Sequence, residues 1–482
     1  MRRQLLANGG FVVSLNLLVK PIWILLIDRE MQNLLGPGTY GTYYTLLSLS
    51  LMLSALLDAG LANFNTRAVA AGGLPALKDM PLMTGLKAAL WLLYMVSTLG
   101  MGWYLGYPPS SLYWLLLLGI QQGLHSFNLL LRSILSGQLR FVREGWMGVL
   151  DKWLMTSASF PLVWLGWRYG SGDPISEFIW IQLLSTLVPT LLMGFMLGSQ
   201  VRLMPAMAWP QQFSLLRRVF PFALLGLLAG MYTRADLLMI RALLPDAEMQ
   251  AGWYASGYRL LDAANMIPIL FSGILLPQFS HFLSKNALKP EWVRSVTVLM
   301  LGMGLCLSWG LVTMRFEWMS RLYAHQSGVQ TAVLYWIGLC CVPISLSYVW
   351  GTLLTAAGRL KPLILMAVGA LFLNIVLNLW LIPLRGAEGA AISTLFTHLV
   401  LCIGQGFYSI RLLTPAIAGT RWPAVAGILL LFTATTAILG RDSSLPLRAG
   451  LTIVWPLLLL ATEGISPRNL WAFLQNRQNK DN

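Results

Sequence analysis

The sequence predicts an all-α polytopic membrane protein with about fourteen transmembrane helices. Three observations lead there. Of 482 residues, 57% are hydrophobic and 11% charged, whereas a soluble domain is about a quarter charged; the mean hydropathy is +0.67. Apolar runs near 20 residues recur along the whole chain, the length an α-helix needs to cross about 30 Å of hydrocarbon. The runs are continuous and Leu-rich, not alternating with period two, so a membrane-spanning barrel is excluded.

The expected spans lie near residues 8–27, 40–62, 83–105, 111–135, 146–167, 176–198, 219–241, 252–277, 293–314, 329–357, 362–383, 388–410, 422–440 and 446–464. Span one follows Arg2 and Arg3, holds Lys20 beside Pro21 and lacks a small-residue cleavage site, so it reads as a retained span and not a leader. The stretch IDREMQNLLGPGTYG after it sets Gly36, Gly38 and Gly41 at dinucleotide-fingerprint spacing. No strand precedes it, so it reads as a turn between spans. Span two carries Asp58 near its inner end, span four His125 and Arg132, and span five opens on Asp151 and Lys152. Spans seven and eight hold Arg234, Asp236, Arg259 and Asp262, and span twelve holds His398. Prolines within spans, among them Pro21, Pro161, Pro189, Pro221, Pro268 and Pro343, mark places for helix kinks. The four cysteines, Cys306, Cys340, Cys341 and Cys402, fall in apolar runs without metal-ligand spacing and read as small hydrophobes.

The formal charge of +15 follows the positive-inside pattern. With the N-terminus inside, twenty lysines and arginines fall on inner ends and loops, Lys78, Lys87 and Arg140 among them, against eight on outer loops. Both termini are therefore expected in the cytoplasm, and nucleic-acid binding is not expected.

The second half repeats the first. Gly41-Thr42-Tyr43-Tyr44 is similar to Gly252-Trp253-Tyr254-Ala255, an offset of 252 − 41 = 211, and the segment around Gly137 is similar to that around Gly358. The expected organisation is a six-helix lobe over 1–205, a second six-helix lobe over 206–415, and a final helix pair with a cytoplasmic tail over 416–482. Transporters commonly place substrate between such repeats near the midplane.

A charge at mid-bilayer costs roughly 2.5–3.5 kcal/mol on insertion scales, so charged groups inside spans face water or one another. At 1.5 Å rise per residue, Lys20, Arg234 and Arg259 sit at a common depth, roughly 10 Å below the outer boundary, as a shared anion site would require. Arg259 and Asp262 are three apart and can pair on one helix face. Asp58, Arg132, Asp151 and Lys152 form a second tier near the inner boundary, where a gate, interfacial anchoring and substrate contact all remain open. Asp236 and Asp58 are the ion-coupling candidates, and His125 and His398 are candidates for proton relay.

No P-loop, metal-ligand cluster or nucleophilic triad occurs, so an enzyme is not expected, nor a cofactor. A proton or sodium gradient is the expected source of drive.

LLGPGTYGTYYTLLSLSLMLSALLDAGL, then Asp236-Leu-Leu-Met-Ile, AGWYASGYRLLDAANMIPILFSGILLPQFS, LLTAAGRLKP and WLIPLRGAEGAAISTLFTHLVL resemble, in that order, the polysaccharide transport family. These are the O-antigen-type flippases of the multidrug/oligosaccharidyl-lipid/polysaccharide exporter superfamily, and the resemblance covers most of residues 8–411. It implies a V-shaped fold with a central cationic cavity. It also implies flipping of an undecaprenyl-diphosphate-linked oligosaccharide to the periplasmic leaflet of a bacterial inner membrane. Polysaccharide polymerases and glycosyltransferases are the partner proteins it suggests. Lys20, Arg234 and Arg259 match the family's cavity bases by helix and depth. A lipid II flippase shares the cationic cavity and stays open. A drug/cation antiporter of the same superfamily is expected to favour acidic cavity residues, and a membrane glycosyltransferase or polymerase a large outer loop; the longest expected here is around 315–328.

Overall fold

The computed structural model describes Val19 and residues 21–58, 60–72, 78–138, 140–167, 169, 170, 173–198, 201, 204–285 and 288–412, with 435, 450 and 454. Lys20, most of the first expected span and nearly all of the last two lie outside the described residues. Among the described residues the structure is helical without strands, and nine segments are long and apolar enough to cross a membrane. This is a multi-pass membrane protein.

A π-helical turn, Trp23–Asp28, runs directly into α1, Arg29–Leu53. The turn expected around Gly36 is present as a break within α1: Gly36 has φ 74° and ψ 166°, and Pro37 follows. Only glycine adopts that conformation cheaply, and a residue before proline is disfavoured in the α region. No breaker precedes Gly36, so Arg29–Leu35, read as loop in the sequence, is helical. Span two is likewise interrupted. α1 ends at Leu53, the single turn α2 covers Ala55–Asp58, and Gly60 at φ 78° precedes α3, Leu61–Gly72.

Next come α4, Met80–Tyr104, α5, Pro109–Gly137, α6, Phe141–Trp164, α7, Pro174–Gly198, and α8, Trp209–Leu243. α9 spans Ala247–Ser284, α10 Pro290–Thr313, α11 Arg315–Leu322, α12 Gly328–Leu339, α13 Cys341–Ala356, α14 Leu360–Arg385 and α15 Ala387–Leu412. Proline at the first helical turn starts several of these, where its missing N–H costs nothing. α12 opens on a capping box: Ser327 Oγ accepts from Val329 N at 3.2 Å, and Gln330 Oε1 accepts from Ser327 N at 3.1 Å. The run 329–357, read as one span, is one apolar segment, Gly328–Ala356, with a turn at Cys340 where Pro343 clashes with the carbonyl four residues back. Pro189, Pro221 and Pro268 instead sit inside continuous helices.

By packing, the chain forms two units, Met1–Ala255 with Ile375–Ala390, and Ser256–Asn374 with Ala391–Asn482. In the first, α5 packs on α7 and α3, and α1 packs on α8. One apolar cluster there joins Met80, Met83, Leu130, Ile134, Met193 and Leu197. α1 also meets the start of α9 through glycine. A Cβ on Gly41 would lie 2.6 Å from the Gly252 nitrogen, and one on Gly252 would lie 2.8 Å from Pro37 Cα, so the backbones touch. In the second unit α10 packs on α13, and Phe279, Trp292, Val349 and Leu353 centre the core.

Candidate functional site

The first unit encloses a cavity of about 710 Å³ lined from α1, α2, α5, α6 and α7. α5 supplies Gln121, Gln122, His125, Ser126, Leu129 and Arg132, whose three- and four-residue spacing puts them on one helix face. Asp58 enters from the end of α2, Asp151 and Lys152 from α6, and Thr186 from α7. The structure thus gathers all four second-tier residues, Asp58, Arg132, Asp151 and Lys152, together with His125.

Each cation of this region has a carboxylate partner. Lys87 Nζ lies 3.3 Å from Asp58 Oδ1 and donates to the Ser126 carbonyl at 2.6 Å and hydroxyl at 2.5 Å. Its side chain is 5% exposed, against 30% for Asp58. Lys87 belongs by sequence to the cations of inner ends and loops. It lies near the inner end of α4 as a buried cation, paired with a carboxylate on a different helix. Arg132 donates from Nε to Glu144 Oε1 at 2.9 Å and forms a second, shorter contact to the same oxygen through Nη2. Gly148 makes that position possible: a Cβ there would meet the Arg132 Cζ at 2.8 Å. Lys152 Nζ lies 3.7 Å from Asp151 Oδ2 and 5.7 Å from the centre of the Trp23 ring. Three positive and three negative groups cancel.

Arg234, half-buried in α8, donates from Nη1 to the Tyr44 hydroxyl at 3.0 Å. Tyr44 is fully buried and stacks on Tyr40, ring centres 6.1 Å apart. Tyr40 in turn donates to Asp28 Oδ2 at 2.7 Å. Asp28 is 0% exposed, a burial that its place in an expected outer loop does not suggest. Asp236, also 0% exposed, accepts from the Tyr254 hydroxyl at 2.6 Å and from Asn378 Nδ2 at 2.7 Å. Both of its oxygens therefore bind neutral donors, a form of satisfaction a buried carboxylate requires. In the second unit Arg259 Nη1 and Asp262 Oδ2 are 4.0 Å apart, the pairing their spacing allows. His398 is buried in α15. Outside the spans, between α4 and α5, burial pushes the Tyr107 hydroxyl up to about 12, and Arg241 lies 5.0 Å over its ring. Among the described residues no group of three His, Cys, Asp or Glu side chains is placed to hold a metal.

No protein-family model matches the sequence, and no curated protein matches it. Solved structures do match over most of their length. The inward-facing form of a multidrug resistance MATE family transporter of the MOP superfamily aligns with TM-score 0.62 and 12% identity, over 85% of this chain and 96% of that one. The lipid II flippase MurJ in an inward closed conformation aligns with TM-score 0.65 and 12% identity, over 95% and 97%. A MOP superfamily transporter from Pyrococcus furiosus, described as having a binding pocket of reversed polarity, gives 0.59 and 12%, over 83% and 92%. The class this defines is a multi-pass protein with a transporter fold. More particularly, the fold is similar to that of the MATE family transporter and of MurJ.

Proposed function

We propose that the protein is a flippase that moves an undecaprenyl-diphosphate-linked oligosaccharide from the cytoplasmic to the periplasmic leaflet of a bacterial inner membrane by alternating access. The observation that carries this reading is the presence of the guanidinium groups of Arg234 and Arg259 within apolar helices. A diphosphate crossing a low-dielectric core needs such partners, whereas its polyprenyl tail can stay in lipid. Lys20, Arg234 and Arg259 are assigned to the diphosphate, contributed by two six-helix lobes that rock about the substrate. Asp58, Arg132, Asp151 and Lys152 are assigned to a gate near the inner boundary. Asp236 and Asp58 are assigned to coupling with a proton or sodium gradient, because carboxylates inside a membrane exchange cations as exposure changes. Polymerases and glycosyltransferases of polysaccharide assembly are the proposed partners, reached from cytoplasmic termini and the bilayer.

The fold shared with MurJ at TM-score 0.65 favours a second reading, lipid II as the cargo. The fold shared with MATE transporters favours a third, drug/cation antiport; cationic groups inside the helices speak against it.

The test is flipping of a fluorescent polyprenyl-diphosphate oligosaccharide in proteoliposomes, with and without proton or sodium gradients. Movement is expected with wild type and lost in Arg234→Ala and Arg259→Ala at unchanged expression. Full activity in both variants would remove the anion-site assignment. Export of small organic cations without lipid movement would replace the flippase reading with antiport.

A further inference from the structure

The cavity of the first unit is the wrong place for a diphosphate. The carboxylates and cations that line it balance, Asp58 and Asp151 against Arg132 and Lys152, and each is paired, Asp58 with Lys87, Arg132 with Glu144, and Lys152 with Asp151. An anion entering would meet cations already neutralised, with the Asp58 and Asp151 carboxylates in the same wall. A free cation would meet Arg132 and Lys152. A wall balanced in this way repels ions of either sign and keeps hydrogen-bonding capacity for a neutral polar group.

That capacity is present. Gln121 is 6% exposed, and its Oε1 is buried without a hydrogen-bond partner. Such an orphan acceptor is costly, and a ligand hydroxyl brought within reach removes the cost. Gln122 and His125 lie beside it on the same face of α5, and the two cavity carboxylates add acceptors for hydroxyl groups. The volume, about 710 Å³, lies within the roughly 300–1,000 Å³ of small-molecule sites.

We propose that this cavity binds an uncharged, hydroxyl-rich group, a sugar unit of the transported lipid, with Gln121 and Gln122 as direct contacts and the Lys87–Asp58 pair holding the wall in place. The source of the sugar rests on the flippase reading. A site built to hydrogen-bond hydroxyls discriminates strongly against a ligand that lacks them, because its buried polar groups are then left unpaired.

The experiment measures equilibrium binding to the full chain in lipid nanodiscs of two probes, a polyprenyl diphosphate bearing one neutral hexose and the same lipid without sugar. Wild type is expected to prefer the sugar-bearing probe by at least about tenfold, the effect of one or two well-made hydrogen bonds in a desolvated site. Gln121→Leu is expected to remove most of that preference and leave binding of the bare lipid unchanged. Leucine is one atom shorter than glutamine and removes the orphan oxygen without adding bulk, so the variant is expected to fold. If its folded yield falls, Gln122→Leu makes the same test. Equal wild-type affinities for the two probes, or an intact preference in both glutamine variants, would overturn the sugar site. In that case the flippase reading stands if Arg234→Ala still loses the bare lipid. Wild type that binds neither probe would overturn both.

Discussion

Asp58→Asn removes the carboxylate from a buried lysine, and the cost follows from how unequally the two partners are buried. Lys87 is 5% exposed and Asp58 30%; an ammonium left alone there has no water, whereas a carboxylate left alone reaches some. Removing one partner of a buried pair costs about 3–5 kcal/mol. The hydrogen bonds from Lys87 to Ser126 survive the substitution, which places Asp58→Asn at the lower end, about 3 kcal/mol. Lys87→Met removes the buried charge itself and leaves a partly hydrated carboxylate, about 1 kcal/mol. The double variant should cost about as much as Lys87→Met alone, so the cycle reads a coupling of about 3 kcal/mol. The assay is unfolding followed by tryptophan fluorescence in nanodiscs at one fixed scan rate, because membrane proteins unfold irreversibly and midpoints depend on rate. The expected order of midpoints is wild type, then Lys87→Met and the double variant together, then Asp58→Asn. Equal single effects that add in the double variant would refute the reasoning.

Gly148→Ala should displace the Arg132 guanidinium from Glu144. The displaced atoms end a flexible side chain and can find other partners, so stability should fall by less than the ~3–5 kcal/mol of deleting one partner of a buried pair, while flipping falls toward the level of Arg132→Gln. Wild-type transport in Gly148→Ala beside an inactive Arg132→Gln would show that the geometry of the Arg132–Glu144 pair is immaterial. Tyr254→Phe deletes a donor to Asp236 and should lower stability by about 1.5–3 kcal/mol, the range for a hydrogen bond to a charged group. An unchanged unfolding midpoint in Tyr254→Phe would mean that water takes over the role of the hydroxyl.

Helical membrane architecture was legible because it rests on run length and apolarity, which are one-dimensional. The second tier was legible for a related reason: four charges at similar depth in an apolar chain have few places to go, and the structure brings all four to one cavity. Lys87 was not legible. It lies near the inner end of its helix, where the positive-inside pattern explains a lysine without any partner, and its partner Asp58 is 29 residues away. Asp28 was hidden in the same manner, because Arg29 and Glu30 beside it read as a loop. The turn at Cys340 escaped because hydropathy does not register the backbone conflict that Pro343 creates four residues upstream. The partner of Arg132 was not legible either: Glu144 stands at a helix start with nothing in the sequence to single it out.

The glycine contact between α1 and α9 is reciprocal. Gly41 abuts the Glu248 carbonyl and Gly252 abuts the Pro37 carbonyl; 252 − 41 = 211 and 248 − 37 = 211, so each glycine touches the counterpart of the residue that touches the other. Two contacts at one offset fix one register twice: sliding either helix along the other would break both at once. Each close atom is a backbone carbonyl and not the end of a flexible side chain, so neither position can give way. The register also carries Tyr44, three residues on from Gly41, to the place where its hydroxyl accepts from Arg234. A pair of glycines that bind nothing thereby sets the position of a side chain that does.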